Sequence, residues 1–189
     1  MTLVRFLAGL AVAILIAARD WRGLRDWCDR FNPTRVWRAA TPRSSLVVAL
    51  VLIGIIAGLL LTFELRRALG LGYERPTILL SAALIPALLT AMFLDQGAVL
   101  EEGGWRGYAT PLLQTAGVRP IHAALVVGLA WGLWHLPRDI IGGVVERLGM
   151  PDYIFLYLPS FLTGTIAASV LAVFCMNRLG GSVLPAIVV

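Results

Sequence analysis

From Ser45 to Phe63 the chain runs through nineteen residues without a charge, and from Tyr153 to Met176 through another twenty-four. A bilayer needs about 20 apolar residues in a helix to cross it, and inside it every backbone N–H and C=O must be satisfied within the segment. These two runs therefore predict an all-α, polytopic transmembrane bundle. Composition agrees: 59% of the 189 residues are hydrophobic and only 14% charged, with a mean hydropathy of +0.83, against about 25% charged residues in soluble domains. The formal charge of +5 comes from arginine alone, since the chain has no lysine. In such a chain a basic balance concerns orientation and anionic lipid rather than nucleic acid.

Three regions follow. Residues 1–44 combine a short apolar run (3–18), read as a first spanning helix rather than a cleaved leader, with a stretch rich in arginine and tryptophan. On a helical wheel Trp21, Leu24, Trp27, Cys28 and Phe31 share one arc, the pattern of an interfacial helix with arginines toward phosphates, and Asn32-Pro33 ends it. Positive-inside bias places this loop in the cytoplasm. Residues 45–76 are the second span and a polar connection from Glu64 to Arg75; Gly54 and Gly58 would let another helix approach closely. Residues 77–189 carry the remaining passes. As one helix, 77–114 would measure roughly 57 Å, too long for a bilayer, so a break is expected at Pro86 or around Gly97. Thr115 to Pro120 is a turn, 121–136 returns through the membrane, 153–176 spans again, and Ser182 onward begins a last helix that is expected to be truncated at Val189. Cys28 and Cys175 sit in dissimilar surroundings and are not expected to pair.

The chemistry concentrates in Glu101-Glu102-Gly103-Gly104-Trp105-Arg106-Gly107-Tyr108. Charged groups held at membrane depth cost several kcal/mol and mark functional sites by default. Glu102 and Arg106 lie one helical turn apart and can pair. That leaves Glu101, on the face of Trp105 and Tyr108, without a partner on its own helix. With the turn centred near Gly117, Glu101 lies sixteen residues before it and His135 eighteen after it. Regular antiparallel helices would carry both to roughly 24–27 Å from the turn. A carboxylate in apolar surroundings beside an imidazole can act as a general base on water. Glu101, Glu102 and His135 are also metal-ligand types, although HExxH is absent and zinc wants four donors. His122 reads as interfacial, Arg138 and Asp139 as solvated loop charges, and Trp131 and Trp134 as packing aromatics.

These residues resemble the CAAX prenyl protease and bacteriocin-processing (CPBP, Abi) family of intramembrane proteases. Its EExxxRG motif corresponds to Glu101, Glu102, Arg106 and Gly107. Its aromatic-xxx-His motif corresponds to Trp131 and His135, with Trp where Phe is usual. The run Arg178 to Ile187 looks like the approach to its third motif, HxxxN, which would begin beyond Val189. The resemblance covers residues 77–189 and implies an integral membrane endopeptidase, expected in a prokaryotic cell membrane. In it Glu101 activates water with His135 assisting, and Glu102 and Arg106 organise the site. The mechanism would be metal-free, or would use a divalent ion such as zinc on Glu101 and His135. Membrane lipids and a peptide or protein substrate are the implied partners. Without the histidine and asparagine of the third motif, catalysis is expected to be impaired, and the alternative is a non-catalytic membrane interaction or immunity-type protein on the same helices.

Overall fold

The computed structural model describes residues 6–69, 86 and 96–188, and every regular element among them is helical. Among the described residues two helices are long and apolar enough to cross a membrane: Pro42–Thr62, with mean hydropathy 2.8, and Met150–Arg178, with 1.8. The pass expected over 77–95 lies outside the described residues.

Helix α1 is described over Phe6–Ala17, 12 residues, about 18 Å at 1.5 Å per residue. Its buried Ala11 and Leu15 pack it along α5 (Gln96–Gly104), the helix that carries the two glutamates. The chain then reverses at Arg19, whose φ of 54° is positive. Asp20 caps α2 (Trp21–Asp29) by accepting from the Gly23 amide at 2.8 Å, and Asn32 caps α3 (Pro33–Ala39). A reciprocal Thr41–Ser44 capping box opens α4 (Pro42–Ala68), which satisfies donors the first turn leaves free. Helix α4 has 27 residues, so the connection expected to start at Glu64 is helical as far as Ala68.

Gly97 sits in the first turn of α5. The described departure from α geometry comes later, as a π-turn at Trp105–Ala109 that leads into α6 (Thr110–Thr115). Gly117, at φ 86°, makes the reversal into α7 (Pro120–Trp134). His135 separates α7 from α8 (Leu136–Ile141). Short helices α9 (Val144–Leu148) and α10 (Met150–Asp152) and a second π-turn (Tyr153–Tyr157) lead to α11 (Leu158–Arg178), and α12 is Leu184–Val188.

The close helix contact is α7 on α11, and glycine sets it. A Cβ on Gly128 would fall 2.7 Å from the Ile166 Cα and 3.1 Å from the Thr165 carbonyl oxygen, and one on Gly132 would fall 2.6 Å from Thr165 Oγ1. By contrast nothing among the described residues lies within 4 Å of such an atom on Gly54 or Gly58. The first obstacle at Gly128 is backbone, which cannot swing aside. Gly128→Val should therefore force α7 off α11 and lower stability by about 1–3 kcal/mol or more, read as a fall in thermal midpoint in detergent.

The arginine-rich segment is not a free anchor. Arg30 Nη1 donates to the Gly181 carbonyl (3.2 Å) and Arg35 Nε to the Gly180 carbonyl (2.6 Å). The Arg30 carbonyl in turn accepts from the Val183 amide (3.0 Å) and the Ser182 hydroxyl (3.0 Å). Gly180 and Gly181 have φ of 70° and 73°, a left-handed pair that turns these carbonyls toward the arginines. Asp26 bonds both Arg30 and Arg35. Partial burial raises its carboxyl, but the hydrogen bonds and charges of Arg35 and Arg30 outweigh that and hold it below the usual value. A depressed carboxylate adds stability above its unfolded value and loses it as pH falls through the folded one. The thermal midpoint should therefore drop on acidification below about pH 4, and Asp26→Asn should flatten that part of the profile.

Candidate functional site

The site is built where the C-terminal half of α5 meets the C-terminal end of α7. Both carboxylates, the arginine and the histidine are buried: Glu101 is 9% exposed, Glu102 6%, Arg106 1% and His135 8%. Glu102 Oε1 accepts from Arg106 Nη1 at 2.7 Å, the one-turn pair expected from the spacing. The pair is monodentate. Glu102 Oε2 and Arg106 Nε, both buried, have no hydrogen-bond partner among the described residues.

The π-turn begins directly after Gly104, inside the motif. A π-turn widens the helix by one residue and frees carbonyls from the i→i+4 pattern. Here the Thr110 hydroxyl, fully buried, donates to the Trp105 carbonyl at 2.9 Å. Despite this irregularity in one arm of the hairpin, Glu101 and His135 do meet. Glu101 Oε1 lies 4.0 Å from His135 Nε2, long for a direct hydrogen bond and short enough for one water to touch both.

Trp131 connects the members. Its indole Nε1 donates to Glu101 Oε2 at 2.7 Å, so the carboxylate that lacked a partner on its own helix finds one on α7. The Arg106 guanidinium lies over the Trp131 ring, 4.6 Å from its centroid, a cation–π contact. The Trp131 carbonyl lies 2.8 Å from His135 Nδ1. A carbonyl can only accept, so Nδ1 carries a proton, and the ring presents Nε2 toward Glu101. Phe161 of α11 packs edge-on against the other side of the imidazole, with ring centroids 5.5 Å apart. From the residues alone Trp131 reads as a packing or interface aromatic, and the family resemblance places it in the second motif with His135 without giving it a bond to Glu101. Its position four residues before His135 was the signal, since that spacing stacks the two on one helical face.

Two further residues take places that differ from the expectation. Trp27 of α2 donates its indole N–H to the Gly103 carbonyl at 2.9 Å, and a Cβ on Gly107 would lie 3.1 Å from that nitrogen. The motif glycines thus admit the N-terminal segment against the carboxylate helix. Asp139, expected to be solvated, is completely buried. It accepts from Arg138 at 2.8 Å and lies 3.5 Å from the Tyr153 hydroxyl, because the helix continues as α8 past His135 and turns Asp139 inward toward the second π-turn. Arg138 remains half exposed, and His122 is exposed near the start of α7.

Among the described residues no group of three or more His, Cys, Asp or Glu side chains is placed to hold a metal ion. Glu101 and His135 offer two donors, and Glu102 gives one of its oxygens to Arg106, so these side chains do not compose the four-donor set that zinc favours.

Residues 81–189 match the family model described as Rce1-like, type II CAAX prenyl endopeptidase. The matched region contains Glu101, Glu102, Arg106, Trp131 and His135 and excludes α1 to α4. No curated protein and no solved structure matches the chain.

Proposed function

Since the chain belongs to the Rce1-like family of type II CAAX prenyl endopeptidases, a family of membrane-embedded proteases, we propose that it cleaves a peptide bond at membrane depth with Glu101 as the general base on water. The observation that carries this reading is the approach of Glu101 Oε1 and His135 Nε2 to 4.0 Å from two different helices, both side chains being buried. A water between them gives a proton to Glu101 while its oxygen bonds to the scissile carbonyl carbon. When the C–N bond breaks, that proton passes to the leaving amine. His135 orients the water through Nε2. Glu102 and Arg106 fix the helix face, and Trp131 fixes Glu101. The family's description points to a prenylated C-terminal motif as substrate, with the terminal tripeptide as the leaving group.

Incubating the purified chain with a farnesylated peptide and with its unprenylated twin, and weighing the products, tests both the reaction and the substrate class. Release of the tripeptide from the farnesylated peptide is expected. Cleavage of the unprenylated peptide alone would reassign the substrate, and no cleavage of either would count against the protease reading.

Trp131→Phe keeps an aromatic ring beside Arg106 and removes the indole N–H from Glu101. A hydrogen bond to a charged group contributes about 1.5–3 kcal/mol. The expected result is a fall in kcat of about 10- to 100-fold with KM nearly unchanged and the thermal midpoint held.

A further inference from the structure

We propose that the outer face of α2 and α3 is a binding surface for the headgroups of anionic lipid, and that its occupancy is transmitted to the carboxylate helix. Seven arginines and three aspartates lie between Arg19 and Arg43, and the structure sorts them into two sets. The aspartates are all engaged within the protein: Asp20 caps α2, Asp26 holds Arg30 and Arg35, and Asp29 holds Arg35. Arg30 and Arg35 also donate to the Gly180–Gly181 turn. That leaves Arg19, Arg22, Arg25, Arg38 and Arg43 exposed, with no ion pair among the described residues.

Five uncompensated cations on one short segment call for anions from outside the chain. Two further features identify the anion's carrier. Trp21 is 63% exposed and Trp37 85%, and large amphipathic rings beside arginines suit the boundary between headgroups and acyl chains. The segment also ends where an apolar helix of bilayer length begins, at Pro42, which sets it at headgroup level. A trough of about 450 Å³ opens beside Trp21, Arg22 and Arg25; Asp26 and Asp29 also line it, but their carboxylates are turned to Arg30 and Arg35.

The inner face of the same segment touches the site. The bond from Trp27 to the Gly103 carbonyl lies between Glu102 and Arg106 in sequence, and Arg30 and Arg35 hold the turn that precedes α12. A lipid that orders α2 therefore orders the backbone that presents the motif. This inference stands on charge and exposure and does not require that the chain be a protease.

The test uses the full chain in phosphatidylcholine vesicles with and without about 30 mol% phosphatidylglycerol, where each basic residue near an anionic surface gains about fivefold in binding. Hydrogen exchange is followed in peptides covering α2–α3 and 96–109. Phosphatidylglycerol should slow exchange several-fold in both regions. The variant R22Q/R25Q/R38Q should lose that protection while keeping its thermal midpoint in phosphatidylcholine. If that variant is itself unstable, the wild-type chain decides: about 0.5 M salt, which shrinks the Debye length to a few ångströms, should remove the protection. Equal exchange with and without phosphatidylglycerol, protection that survives in the stable triple variant, or protection reproduced by inorganic phosphate in neutral vesicles would each overturn the proposal.

Discussion

Glu101→Gln is expected to cut peptide-bond cleavage by about 10³-fold or more, within the 10²- to 10⁴-fold range for a positioned general base, and to leave the fold standing. Glutamine has nearly the same volume, and its carbonyl oxygen can still accept the indole N–H that Trp131 now gives Glu101 at 2.7 Å. The variant thus keeps the packing of α5 on α7 and loses only the capacity to take a proton from water. His135→Gln should slow the reaction less, because its Nε2, 4.0 Å away, is assigned to orienting the water and not to holding the proton. Both variants should be measured for kcat and for thermal midpoint on one preparation. A Glu101→Gln chain that cleaves at the wild-type rate while folded would remove Glu101 from the mechanism and return the site to a structural role.

The approach of those two residues was legible because hairpin arithmetic needs only the turn and the rise per residue. Gly117, the one residue of the turn in a left-handed conformation, anchors both counts, and a single π-turn shifts one arm by too little to separate the groups. The Glu102–Arg106 pair was legible for the same local reason. What escaped was long-range. No spacing rule connects Trp27 to Gly103, seventy-six positions away, or Arg30 to Gly181, so a segment with an amphipathic wheel read as a lipid anchor alone. The glycine pairs make the same point. Gly54 and Gly58 have the same four-residue spacing as Gly128 and Gly132, yet among the described residues only the second pair meets another helix, and nothing local distinguishes them. Asp139 was misjudged because a proline at position 137 suggested that the helix had ended. Proline is tolerated in the first turn, and Leu136–Ile141 uses it there, which carries the aspartate inward.

Removing one member of the buried ion pair should be more damaging to the fold than removing both. Arg106→Met leaves Glu102 as a carboxylate 6% exposed, with Oε2 lacking a hydrogen-bond partner among the described residues and Oε1 losing the one it has in Arg106. An uncompensated buried charge of this kind costs about 3–5 kcal/mol, whereas replacing a whole buried pair by apolar groups of similar size is often neutral or stabilising. Glu102→Leu combined with Arg106→Met should therefore recover most of the loss, and the midpoints of the two single variants, the double variant and the parent form a cycle that measures the coupling. Activity should not recover with it. Arg106 also lies 4.6 Å from the centroid of the Trp131 ring, the same ring whose nitrogen holds Glu101, and methionine supplies contact there without the charge. A double variant that is stable but slow would separate the two duties of the pair, one toward the helix and one toward Trp131. A double variant both stable and fully active would confine Glu102 and Arg106 to the fold and leave the chemistry to Glu101, Trp131 and His135.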